Sequence, residues 1–233
     1  MEMKKTIAIL TGAGMSAESG IKTFRDADGL WENYPVMEVA SHTGFLRNPA
    51  LIHKFYNERR KQLVECKPNA GHYGIVDLEE KFNVKVITQN VDNLHEKAGS
   101  SSVLHLHGEL MKVEAVDNEN LVFELSEDNL ETSVDTVIEG HKVRPHIVFF
   151  EEPVPNITAA AKIVKDADIV VIIGTSMVVY PAAGLLYYAK PRTPIYYIDP
   201  NPAKIEARGV TVIAKTATEG VKELKEMLLT SPK

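Results

Sequence analysis

Short runs of apolar, mostly β-branched residues recur along the chain at Lys5–Thr11, Val84–Thr88, His146–Phe150, Ile169–Ile173, Pro194–Asp199 and Gly209–Ala214. In most of them apolar residues follow one another directly. That suits parallel strands covered on both faces, because a half-exposed strand would alternate with a period of two. Segments with helical spacing lie between several of the runs, at 69–82, 156–167, 181–189 and 216–229. The alternation predicts an α/β fold, a Rossmann-like doubly wound parallel sheet with right-handed crossovers. Residues 30–68 and 109–143 fit that pattern poorly and are read as insertions that form a smaller lobe. The large lobe then takes about 1–29, 69–108 and 144–233, within one domain of generous size.

Charge sharpens the view of the second insertion. Glu109 to His141 holds ten acidic residues and one lysine, Lys112, a formal −9 against −6 for the whole chain. The rest is therefore about +3, and all the net acidity lies in this segment. A solvated strand-and-loop module is the plain reading, and a docking surface for basic segments is the sharper one. Net acidity gives nucleic-acid binding no support. One cysteine, Cys66, excludes an internal disulfide and any multi-cysteine zinc site. Residues 169–189 are apolar enough to suggest a membrane span, but Gly174, Thr175, Ser176 and Pro181 interrupt them, and strand-turn-helix fits better. Met1 leads through two lysines into the first strand, so no secretory segment is expected and a cytoplasmic protein is.

Chemistry collects where the apolar runs end. Thr6–Leu10 enters a turn at Gly12-Ala13-Gly14, where glycine leaves backbone amides uncovered before a short helix that would favour a phosphate. Ile172-Ile-Gly-Thr-Ser176 repeats the device later in the sheet. After Thr88, Gln89, Asn90 and Asp92 cluster at a strand's carboxyl end, where open α/β sheets place ligands. Each alone reads equally as an Asx-type helix cap. Asp199 ends another strand and can accept from ribose hydroxyls or cap a turn. His105 and His107, two apart, face the same way if extended. They suggest a metal pair with no third ligand nearby, a buried hydrogen-bonded histidine, or a general base. Asn48-Pro49 predicts the start of a helix whose apolar stripe is Ile52, Phe55, Tyr56, Leu63 and Cys66. Arg59 falls on that stripe, facing either a structural carboxylate or an acidic ligand shared with Tyr56.

GAGMSAESG, TFRDADGLW, TQNVDNLHEKAG, HLHGEL, RPHIVFF and IGTSMVVYPAAG occur in an order and spacing that resembles the sirtuins, the NAD-dependent protein lysine deacylases, from about Lys5 to Leu228. Within that family, Tyr56-Asn-Glu-Arg59 and Thr23 are similar to the bacterial and mitochondrial branch that removes acidic acyl groups. The resemblance implies His107 as catalytic base, with Asn90 and Asp92 beside it. It implies NAD contacts from Gly12, Ala13, Gly14, Ser16, Glu18, Thr23, Phe24, Arg25 and Trp31, and from Gln89, Asn90, Val91 and Asp92. The adenosine half would meet Gly174, Thr175, Ser176, Asp199, Pro200, Asn201 and Ala217. Tyr56, Arg59, Val148 and Phe150 would meet an acyl-lysine protein or peptide, and Thr23–Trp31 would serve as a lid.

The implied reaction is desuccinylation, demalonylation or deacetylation, releasing nicotinamide and O-acyl-ADP-ribose. A mono-ADP-ribosyltransferase or NAD glycohydrolase, or a non-catalytic NAD sensor, stands as the alternative. Two departures from the family pattern matter. The four zinc-binding cysteines expected between HGEL and RPH are missing, so no zinc is expected. The small lobe would then rest on Leu121, Val122, Phe123, Leu125, Val134, Val137 and Ile138. Glu151 replaces a family glycine beside the substrate lysine, which adds bulk and charge there.

Overall fold

The computed structural model describes residues 4–22, 30–176, 180–203 and 209–230. From the amino end come β1 (Thr6–Thr11), β2 (Leu30–Trp31), β3 (Tyr34–Pro35), α1 (Val36–Val39), α2 (His42–Arg47), α3 (Pro49–Glu65) and α4 (Ala70–Leu78). Next are β4 (Asn83–Thr88), α5 (Leu94–Ala98), β5 (Val103–His105), β6 (Gly108–Ala115), β7 (Asn118–Glu124), β8 (Val137–Ile138) and β9 (His141–Ile147). The last stretch holds α6 (Ile157–Asp166), β10 (Ile169–Ile173), β11 (Ile195–Ile198), β12 (Val210–Ile213) and α7 (Ala217–Thr230).

Six strands form the expected parallel sheet, in the order β12-β11-β10-β1-β4-β5. Successive residues of β1 serve opposite faces: Ile7 and Ile9 join Ile75 and Leu78 of α4 and Val221 and Leu224 of α7, whereas Ala8 and Leu10 join Ala160 and Val164 of α6. Both faces are covered, which accounts for the unbroken apolar runs. The chain builds outward from β1 to β4 and β5, then returns to β10 and builds the other way. The order therefore reverses between β1 and β10, and a crevice opens beyond their carboxyl ends.

The helix-start signal at Asn48-Pro49 acts as expected. The Asn48 side chain accepts from Leu51 N at 3.1 Å, with Pro49 in the first turn of α3. Asn69 and His72 make a reciprocal cap on α4. Residues 181–189 differ from the expected α-helix, because Ala182–Tyr188 winds as a 3-10 helix after Pro181. His146–Phe150 is also not a strand of the parallel sheet. The strand there is β9, which lies antiparallel beside β6 in a separate sheet ordered β7-β6-β9-β8, while Val148–Phe150 runs on past its end.

The small lobe is not held by the apolar residues expected to hold it. Val122 and Val137 are exposed, and Leu121, Phe123, Leu125, Val134 and Ile138 are only half-buried; β7 and β8 are the two edge strands of their sheet. Two other features hold it. One is an apolar cluster of Val39, Ile52, Phe55, Tyr56, Leu63, Leu110, Ile147 and Phe149. The other is a polar clip between α3 and the acidic segment. Asn57 and Thr132 exchange hydrogen bonds, Nδ2 to Thr132 O at 2.8 Å and Thr132 N to Oδ1 at 3.1 Å. Arg60, fully buried, donates from Nε to Leu110 O at 2.8 Å and from Nη1 to Leu130 O at 3.3 Å. His53 Nδ1 lies 2.8 Å from Thr132 Oγ1. His53, Asn57 and Arg60 follow the helical repeat, so they form one inward polar strip beside the apolar one.

Candidate active site

The crevice is continuous with a cavity of about 590 Å³ between the sheet's carboxyl edge and the small lobe. Its floor is the meeting of two turns. Gly12 N donates to Ile173 O at 3.0 Å, and Gly14 N to Gly174 O at 2.8 Å. Gly174 has φ +61°, and a Cβ there would stand 2.4 Å from the Gly14 carbonyl carbon. Only a glycine pair lets these backbones approach so closely.

One wall is the segment after β4. Gln89 donates from Nε2 to Thr175 Oγ1 at 3.1 Å, tying it to the β10 turn. Asn90 Nδ2 donates to Gly12 O and to Ser16 Oγ, both at 3.1 Å. Ser16 Oγ donates to Asp92 Oδ2 at 2.9 Å. Burial raises the Asp92 pKa, and bonds from Leu94 N and Ser16 with the charge of His105 oppose that rise. His107 Nδ1 lies 3.1 Å from Gln89 O. A carbonyl only accepts, so Nδ1 carries the proton and Nε2 keeps its lone pair when the ring is neutral. Burial pulls the ring below its ordinary pKa, the Gln89 bond opposing, so the neutral form dominates near pH 7. The arrangement is that of a base.

Facing it are Tyr56, Leu63, Ile147 and Phe149, an apolar surface beside Arg59. Among the described residues, Arg59 Nε and Nη1 have no hydrogen-bond partner, nor does Tyr56 Oη. The carboxylate paired with Arg59 among the described residues is Glu58, 3.8 Å from Nη2. Burial raises the Tyr56 pKa, so it stays a phenol able to donate.

Val148 and Phe150 lie on a loop anchored at both sides: Val148 N donates to His107 O at 3.1 Å, and Phe150 N to Ala40 O at 2.8 Å. Glu152 holds the loop from behind, taking both Arg144 Nη atoms at 2.7 and 2.9 Å and Phe149 N at 2.9 Å. Glu151 has φ +79°, a backbone that favours glycine. Its carboxylate turns onto Thr43 N and Oγ1, at 2.9 and 2.8 Å, in the first turn of α2.

Of the residues expected at the site, Gly12, Ala13, Gly14, Glu18, Trp31, Gln89, Asn90, Val91, Asp92, His107, Gly174, Thr175, Ser176, Asp199, Pro200 and Asn201 line the cavity, with Tyr56, Arg59, Val148 and Phe150. Ser16 and Ala217 stand behind the lining, Ser16 buried against Asp92 and Ala217 packed in the core at the start of α7. Glu18 also receives Thr218 N and Oγ1 at 2.9 and 2.7 Å, which caps α7. Thr23, Phe24 and Arg25, and with them the proposed lid up to Gly29, lie outside the described residues. Ile21, Tyr180 and Thr216 line the cavity without having been expected; of these, Tyr180 lies within the IGTSMVVYPAAG motif.

The group expected to be missing is the zinc module. Between Glu109 and His146 the chain has no cysteine, and His141 and His146 there pair with Asp117 and Glu114. A thiolate zinc centre does not fit this donor set.

Residues 12–181 match the family model described as Sir2 family. The chain is 54% identical to an NAD-dependent protein deacylase of Bacteroides thetaiotaomicron, over 98% of this chain and 100% of the relative. It is 48% identical to one of Helicobacter pylori, over 97% of this chain and 98% of that protein. Among solved structures, a Sir2 homolog–NAD complex superposes with a TM-score of 0.86 at 36% identity, covering 97% of this chain and 90% of that one.

Proposed function

The chain belongs to the Sir2 family, and from that premise we infer that it is an NAD-dependent protein lysine deacylase. The observation that carries the reading is the juxtaposition across one cavity of a neutral, half-buried His107 and an Asn90–Asp92 wall with an apolar surface beside Arg59. The residues fit NAD. A glycine turn at the switch point suits a pyrophosphate, Asp199 ends β11 where a ribose would sit, and Asn90 and Asp92 offer amide and carboxylate to the nicotinamide end. NAD would supply an electrophilic ribose carbon with nicotinamide as its leaving group. His107 Nε2 is the ring nitrogen free to take a hydroxyl proton, which Nδ1, committed to Gln89 O, cannot do. The apolar wall keeps water from the reacting carbon.

The finer reading concerns the acyl group. Arg59 and the Tyr56 phenol fit a terminal carboxylate, so succinyl- and malonyl-lysine are the favoured substrates and acetyl-lysine a lesser one. The Val148–Phe150 loop would carry the substrate backbone, and Glu151, which lines the cavity, has its carboxylate drawn onto Thr43. In this reading the parallel-sheet lobe holds NAD, the inserted lobe holds the acyl chain, and no zinc is needed. A cytoplasmic location is part of it, supported by the single, half-buried cysteine. Among the described residues no helix is long and apolar enough to cross a membrane. Mass spectrometry tests the reaction: succinyl peptide and NAD should give free lysine peptide and O-succinyl-ADP-ribose in equal amounts. Free succinate without that product would contradict it.

A further inference from the structure

Two histidines at the end of β5 grip consecutive carbonyls of the loop after β4. His107 Nδ1 meets Gln89 O at 3.1 Å, and His105 Nδ1 meets Asn90 O at 2.9 Å. Their second nitrogens differ. His107 lines the cavity, whereas His105 Nε2 lies 2.9 Å from Glu96 Oε1. A carbonyl only accepts, so His105 Nδ1 is protonated; an ionised carboxylate only accepts, so Nε2 is protonated as well. With Glu96 ionised, His105 is an imidazolium, and it is 8% exposed.

Burial alone would strip that ring of its proton, but the hydrogen bond and charge of Glu96, helped by Glu109, reverse the effect and raise its pKa. Glu96 moves the opposite way: burial would raise it, and the bond and charge of His105, with Lys112, bring it down. The remaining groups facing the ring are Asp92, whose pKa burial raises and the ring's charge opposes, and His95, whose pKa burial and the charges of His72 and His105 lower. Asn90 is thereby held at every polar backbone atom, since its N–H donates to Thr88 Oγ1 at 3.0 Å. Its side chain reaches Ser16, and Ser16 reaches Asp92.

We propose that the Glu96–His105 pair is a positioning device for NAD: it fixes the Asn90 carbonyl and sets a positive charge beside Asp92. This rests on the NAD-dependent reading above. Neither residue is among those lining the cavity, so both act through Asn90 and Asp92. The pair also separates the two histidines of one motif, one anchored by a carboxylate and one left for proton transfer.

Calorimetric NAD affinity, which needs no turnover, is the test. Glu96→Gln keeps length and an acceptor and removes the charge. It should weaken NAD binding about tenfold at pH 8, with recovery towards pH 6 as His105 regains its proton. The wild type, with its raised His105 pKa, should hold its affinity further up the pH range. His105→Gln keeps a donor for Asn90 and should show the weakening without recovery. Nitrogen NMR of wild-type His105 at pH 7 should show both ring nitrogens protonated. Wild-type affinity and pH dependence in both variants, or a neutral His105, would overturn the proposal. A wild type that binds NAD but leaves acyl-lysine untouched would overturn the deacylase reading alone.

Discussion

Replacing Arg59 with Met tests the acyl pocket with the least disturbance. Methionine keeps the aliphatic stem of the side chain and removes the guanidinium, whose carbon lies 4.8 Å from the Phe55 ring centroid. What it removes is a charge whose Nε and Nη1 have no partner among the described residues and whose side chain is 15% exposed. A substrate carboxylate would take both donors, and a charged hydrogen bond contributes about 1.5–3 kcal/mol. Drying the carboxylate offsets about half of the pair, leaving roughly 1.5–3 kcal/mol, or about 10- to 150-fold in kcat/KM. An acetyl group reaches neither donor, so deacetylation should change less than about threefold. The assay is kcat/KM on one peptide carrying acetyl-, malonyl- or succinyl-lysine, for wild type and Arg59→Met. An equal loss on all three would mean that Arg59 supports the fold only, and no loss on succinyl-lysine would remove it from the site.

His107→Ala should lower kcat by about 10²–10⁴-fold with an unchanged circular dichroism spectrum; near wild-type turnover would refute a base role. Arg60→Met leaves Leu110 O and Leu130 O without their donor and should cost about 2 kcal/mol, or roughly 4–8 °C in Tm. Wild-type Tm in Arg60→Met would show that the clip carries no stability. Strong chelator should leave the wild-type Tm unchanged, and elemental analysis finding about one zinc per chain would contradict the zinc-free account. Burial lowers His53 and His72 to about 4 and His95 to about 3, against an ordinary 6.5. Below pH 6.5 the unfolded chain takes up protons that the folded one refuses, so stability should fall as pH drops from about 6.5 towards 4. Denaturant midpoints that stay flat across that window would contradict it.

The parallel sheet was legible because β1 and β10 are apolar on both faces, and the glycine turns because Gly12, Gly14 and Gly174 follow such runs directly. The Arg60–Thr132 clip was not, because its partners are 72 residues apart and form a polar contact that no periodicity announces. Arg59, beside it on α3, drew notice only because it interrupts an apolar stripe. Val148-Phe149-Phe150 suggested a core strand, yet only Phe149 is buried, and all three line the cavity. His105 and His107 look alike in the sequence; Glu96, nine residues before His105, is what distinguishes them.

Nicotinamide release from NAD, measured with and without a succinyl-lysine peptide, tests the central claim most directly. Release should depend on the peptide, with one lysine unmasked for each nicotinamide formed. Release that proceeds equally without peptide, or NAD binding with no release in its presence, would contradict the account.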